Sequence, residues 1–155
     1  MAPTVFIEDR SLSGGVVRED ELREAAARIL RTLGADEAEL SLVLVDDEEM
    51  ARLNARYLQR SGPTNVLAFP MREGEGGDVM PHLLGDVVIS LETARREAET
   101  AGIPWEERVL TLLIHGILHL LGWDHERGLQ EAEAMEAQER RILEAVRGVL
   151  RFHPP

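Results

Sequence analysis

Val109-Leu110-Thr111-Leu112-Leu113-Ile114-His115-Gly116-Ile117-Leu118-His119-Leu120-Leu121 decides the architecture of this chain. The run is apolar on almost every face, as a helix is when it is covered from all sides. It is too short to span a bilayer and carries two imidazoles, so it reads as the central helix of a soluble core. Pro104 suits the start of that helix, where a missing N–H costs nothing. Gly122 offers the stop. The helix is therefore expected from about Trp105 to Leu121.

Working outward, elements alternate on both sides. Thr4 to Ile7 is a short apolar strand, and Ser11 to Gly15 a turn. From Val17 to Leu33 the apolar positions Leu22, Ala25, Ala26, Ile29, Leu30 and Leu33 recur at helical spacing. Glu39 to Val45 alternates and then becomes wholly apolar, the mark of a buried strand. Asp46 with Glu49 three residues on is a candidate N-terminal box for a helix to about Tyr57. Thr64 to Phe69 reads as a strand ended by Pro70, and 73–78 as a polar, flexible loop. Leu83 to Ser90 contains a second buried-strand run, Val87-Val88-Ile89. A helix from Ser90 or Leu91 to Thr100 stops at Gly102, and a last one fits Leu129 to Val149. Strands interleaved with helices predict an α+β (α/β layer) fold in which a small mixed sheet is covered by helices. No repeat or linker divides the chain, so residues 1–155 are expected to form one domain.

Composition narrows the chemistry. The 155 residues are 44% hydrophobic, enough for a packed core. There is no cysteine, so any metal must be held by imidazole or carboxylate. The formal net charge of −12 argues against tight, indiscriminate binding to nucleic acid. All 17 basic residues are arginine, whose fork can still grip phosphate locally. Met1-Ala2-Pro3-Thr4 lacks a basic segment followed by an apolar one, and a cytoplasmic location with no membrane association is expected.

Five histidines occur in the chain, and His115, His119 and His125 fall within one short stretch. On a helix, residues i and i+4 share a face, so His115 and His119 project together. Gly122 lets the chain turn and return His125 toward them. Three neutral imidazoles suit one zinc-type ion with a position left open for water. The same donors accept nickel, cobalt or copper. Asp124 has two available roles: hydrogen-bonding a ligand imidazole and fixing its tautomer, or capping the turn. Trp123 packs over the site or covers the core. His82 and His153 stand apart and read as ordinary surface positions.

The His-x3-His-x5-His spacing resembles that of metzincin proteases. Those enzymes carry a glutamate base directly after the first histidine. Here Gly116 stands there, which counts against a peptidase. A longer resemblance is more specific. His115 to His125, HGILHLLGWDH, is similar to the HGxLHLxGYDH pattern of the YbeY family of bacterial endoribonucleases, or rRNA maturation factors. Leu53-Asn54 followed by Pro63-Thr64-Asn65-Val66-Leu67-Ala68-Phe69-Pro70 is similar to that family's PT(D/N)VLSFP segment. Leu84-Gly85-Asp86-Val87-Val88-Ile89-Ser90 is similar to its LGDIVIS. The later acidic helix with Met135 and Glu139 fits too. These stretches cover roughly residues 40 to 147, in the family's order.

The resemblance implies a zincin-like fold and a zinc-dependent endoribonuclease that prefers single strands. It implies action in 3′-end maturation of small-subunit rRNA and in ribosome quality control. It further implies one zinc held by His115, His119 and His125, with the small subunit or its proteins as partners. The expected chemistry is phosphodiester hydrolysis, in which a divalent ion acidifies water and polarises a phosphoryl oxygen. Thr64 to Phe69 would form one cleft wall, with Arg52, Arg56, Arg60 and Arg72 as candidate phosphate contacts. Three positions depart from the pattern. Leu58 stands where the family usually has arginine, with Arg56 or Arg60 close enough to substitute. Ser61 replaces an acidic residue, and Trp123 a tyrosine. No general base is evident, and Asp86 is one conceivable carboxylate. Two other readings remain open: a non-catalytic, metal-stabilised ribosome-associated factor, and a metallohydrolase acting on another substrate such as peptide.

Overall fold

The computed structural model describes residues 2–12, 16–71, 82–124, 126 and 128–152. His125, Arg72, His153, residues 13–15 of the first turn and the 73–78 loop lie outside them. The elements run β1 (Thr4–Asp9), α1 (Glu19–Thr32), β2 (Glu39–Val45), α2 (Asp47–Leu58), β3 (Val66–Pro70), β4 (Leu83–Ser90), α3 (Leu91–Ala101), α4 (Trp105–Leu120) and α5 (Leu129–Val146). The four strands form one mixed sheet in the order β1-β2-β4-β3. β1, β2 and β4 are parallel, and β3 is an antiparallel edge strand paired with β4.

Alternation along the strands divides the helices between two faces. Val5, Leu40, Leu42, Leu44, Val87 and Ile89 enter the main core with residues of α1, α3, α4 and α5. Val45, Leu67 and Val88 point the other way and pack with Met50 of α2, beside Leu53. α4 is the centre of the thicker layer. Leu110, Leu113, Ile114, Ile117 and Leu118 are almost wholly withdrawn from solvent. Each such side chain contributes about 1.5–3 kcal/mol through burial, so the helix carrying the histidines is firmly held.

Two glycines set the fit of the sheet to this helix. A Cβ on Gly116 would lie 2.8 Å from Val87 Cγ1, so α4 sits closer to β4 than any other residue allows. At Gly85, φ is +138° and a Cβ would overlap the Phe69 carbonyl oxygen. The register between β2 and β4 slips at this point, Glu39 pairing with Leu83 and Leu40 with Gly85. That irregularity bends β4 where β3 joins it.

Most element boundaries follow the sequence reading, and the differences have local causes. α5 ends at Val146 rather than Val149 because the chain turns over residues 147–149, with Gly148 at φ +91°. β3 starts later and includes Pro70. The Ser90 N–H donates to Asn65 O and the Met71 N–H to Leu84 O, so odd-numbered residues of β3 face β4. The nitrogen of Pro70 therefore faces outward, where an edge strand tolerates it. Asp46 does occupy the N-cap of α2, but no cap bond comes from its side chain. Its Oδ2 instead accepts the Leu12 N–H at 2.8 Å. Asp47 ties α2 to α3 by accepting from Ser90 Oγ (2.7 Å), Thr93 Oγ1 (2.6 Å) and Arg96 Nη1 (2.6 Å). Burial raises the Asp47 pKa, yet these donors outweigh it and hold the carboxyl below its ordinary value.

Candidate metal centre and cleft

α4 brings His115 and His119 onto one face, as their spacing requires. Their Nε2 atoms lie 3.0 Å apart. His115 Nδ1 lies 3.1 Å from Glu139 Oε1 on α5, a contact spanning 24 residues of sequence. An ionised carboxylate only accepts, so Nδ1 carries the proton. In the neutral ring that leaves the Nε2 lone pair of His115 directed toward His119. Met135, one turn before Glu139, is buried and anchors α5 on the core. Glu139 is thereby aimed at α4. Among the described residues, these two imidazoles are what the structure contributes to the expected ligand set. His125, the third, lies outside them.

The donor set suits a divalent ion of zinc type. Two nitrogens bound tetrahedrally at about 2.1 Å would be about 3.4 Å apart, close to the observed approach. A carboxylate behind a histidine is the usual device for fixing tautomer and ring orientation in such a centre. Sequence reading named Glu139 within a motif but did not assign it this task. Its place one helical turn after buried Met135 was the available signal.

The histidines open into a cleft of about 450 Å³ along the outer edge of β3. Leu58 and Arg60, from the α2 face of the sheet, and His115, Gly116 and His119, from the α4 face, line it together with Val66 to Pro70 of the edge strand and Glu126. The edge strand predicted as a cleft wall is thus in place. Because odd residues of β3 face β4, the amides of Val66 and Ala68 point away from it, toward the open edge. Arg60 is the arginine among the described residues lining this cleft, and it has no ion pair among them. Its position is set by the end of α2. Gln59 takes a left-handed conformation at φ 55°, and the Arg60 N–H reaches back to Asn54 O at 3.3 Å. The buried Asn54 side chain donates to Gly62 O at 2.9 Å and holds the same loop.

Other candidates are placed elsewhere. Arg56 lies over the Tyr57 ring, 5.3 Å from its centroid. Arg52 pairs with Glu48 on the exposed face of α2. Asp86 is one residue before Val87 and projects from the opposite face of the sheet to α4, so it does not reach the histidines. Asp124 Oδ1 accepts the Glu126 N–H at 2.8 Å, which is the turn-capping one of its two expected roles and leaves the other open. Trp123 packs against the main core. His82 is exposed, and its carbonyl receives the Glu39 N–H.

A family model described as endoribonuclease YbeY matches residues 8–147. The chain belongs to the YbeY endoribonuclease family. It is 47% identical over 144 residues to endoribonuclease YbeY of Syntrophotalea carbinolica, covering 92% of this chain and 95% of the relative. It is 52% identical over 123 residues to that of Geobacter metallireducens, covering 79% and 82%. Among solved structures, a Thermotoga maritima protein determined in solution matches with a TM-score of 0.66 at 23% identity, over 94% of this chain and 90% of that one. That last likeness concerns the fold. Among the described residues, no helix is long and apolar enough to cross a membrane.

Proposed function

We propose that this YbeY chain is a zinc-dependent endoribonuclease that hydrolyses phosphodiester bonds of single-stranded RNA. Its role would be 3′-end maturation of small-subunit rRNA and ribosome quality control in the cytoplasm, with the small subunit or its proteins as partners. The observation that carries the reading is the convergence of two imidazole Nε2 atoms on a cleft whose opposite wall holds a cation without an ion pair among the described residues. The family name supports the endoribonuclease. The carboxylate-backed histidine supports a divalent ion of zinc type.

His115, His119 and His125 would hold the ion. When bound, it supplies Lewis acidity and lowers the pKa of coordinated water. The chain's own residues do the rest. Glu139 accepts a hydrogen bond from His115 Nδ1–H and so leaves Nε2 as the nitrogen that would ligate. Arg60 binds a phosphate oxygen of the strand and offsets charge that builds during hydrolysis. The outward N–H groups of Val66 and Ala68 offer further donors to the RNA backbone. Gly116 speaks against a peptide substrate, because position 116 is pressed on Val87 and has no room for a glutamate base.

Leu58 keeps a second reading in view. An apolar residue stands in the cleft wall where the family usually carries arginine, as a non-catalytic, metal-stabilised ribosome factor would tolerate. One experiment separates the two. Metal content and single-stranded RNA cleavage are measured with and without chelator, for the wild type and for His115→Ala/His119→Ala. The endoribonuclease reading expects cleavage lost with the metal in both cases. Cleavage unchanged in the double variant overturns it. Metal-dependent melting without any cleavage supports the second reading instead.

A further inference from the structure

The last turn of α2 bears an aromatic side chain that the core does not use. Tyr57, the single tyrosine of the chain, is 54% exposed. Its ring meets Phe69 at 5.4 Å and 64°, edge to face. Phe69 lines the cleft, so the pair continues the cleft wall outward. The Arg56 guanidinium lies over the Tyr57 ring. Leu58 and Met71, both at least 40% exposed, belong to the same end of the molecule, beside α2 and β3. Isolated exposed apolar residues need no explanation. An aromatic braced by a second aromatic, stacked on a cation and joined to the cleft is a different case.

We infer that Tyr57 and Arg56 form a stacking platform for one unpaired nucleobase of the RNA strand whose backbone enters the β3 cleft. This rests on the endoribonuclease reading above and adds a base-binding subsite to it. Aromatic rings and guanidinium planes are the surfaces on which proteins receive splayed bases. Charge fits as well. In a chain of net charge −12, the Arg56 and Arg60 side chains place positive charge on both sides of Leu58. A strand whose phosphate is held by Arg60 would offer a base to Tyr57, three residues before it in sequence, and a base stacked within a duplex has no face free for this. The platform would thus enforce the single-strand preference and tolerate any base, since every base has a π-face.

The lone tyrosine permits a direct test. Wild-type holoenzyme labelled with 3-fluorotyrosine is titrated with a short 2′-O-methyl oligoadenylate and, separately, with an abasic strand of the same length. Fluorine NMR and fluorescence anisotropy of the labelled strands are read. The Tyr57 resonance is expected to move upfield with the base-bearing strand and to stay in place with the abasic one. Tyr57→Ala should weaken binding of the former about ten-fold and leave the latter unchanged, while Tyr57→Trp retains wild-type affinity. If the wild type binds and cleaves RNA but the resonance is unmoved and Tyr57→Ala binds equally well, the platform is wrong and the endoribonuclease reading survives. If the wild type binds neither strand and cleaves no RNA, both are overturned.

Discussion

The two walls of the cleft are built on different principles. The α4 wall is part of the core: its helix is buried, Gly116 is locked on Val87, and Glu139 is aimed from α5. The α2 wall is surface. Tyr57 and Leu58 stand on the last turn of α2, and Arg60 is set beside them by a left-handed residue and a loop held on Asn54. Positions that hold an ion need tenths of an ångström and obtain them from packing. Positions that meet a strand of variable sequence need reach and charge, which an exposed helix end supplies.

If precision resides in the α4 wall, disturbing it should cost most. Glu139→Ala is expected to weaken metal affinity on the order of 10–100-fold, with Glu139→Gln milder because its amide oxygen can still accept from Nδ1. Competition with a chromogenic chelator measures it, and equal affinities for wild type and Glu139→Ala would remove Glu139 from the centre. On the α2 wall, Arg60→Ala should lower kcat/KM for single-stranded RNA about ten-fold through loss of a charge-assisted contact. Arg56→Ala should act mainly on binding. Identical kinetic profiles for the two variants would erase the distinction drawn between them.

Gly116→Ala sharpens the comparison from the stability side. Its methyl would press on Val87 and destabilise the fold by about 1–3 kcal/mol, read as a lower urea midpoint. Alanine at the exposed Leu58 should change that midpoint little. A modest, pH-dependent effect is expected away from the cleft, at Asp47. Its carboxyl pKa is lowered on folding, so its contribution is complete above the unfolded value and fades as pH falls through the folded one. Asp47→Asn should therefore lower the melting temperature near neutrality by a few degrees, for about 1 kcal/mol. The deficit should vanish in strong acid. A deficit independent of pH would mean that packing, not ionisation, sets the role of Asp47.

The same division explains what could be read beforehand. β2 was legible to the residue, and the Val87-Val88-Ile89 centre of β4 with it, because both are buried apolar runs. The partnership of His115 with His119 followed from helical geometry alone. Glu139 is a contact across 24 residues, and no local pattern reports such a distance. Choosing Arg60 over Arg56 depended on the left-handed turn at Gln59, a conformation that a non-glycine residue seldom adopts. Asp86 could be set aside only once Val87 was seen against Gly116 of α4, since the neighbouring Val88 is equally apolar. It precedes Val87 by one residue, and side chains one apart on a strand leave by opposite faces.

Pro70 has a consequence beyond its place at the sheet edge. An open strand with every amide available is a template on which another chain can grow a sheet. Along the exposed margin of β3 the donors belong to Val66 and Ala68, and at position 70 the series breaks. A second copy of the strand would lose a rung at that place, whereas a polyanion needs only the two donors that remain. The margin is thus open to a guest and unfavourable to polymerisation.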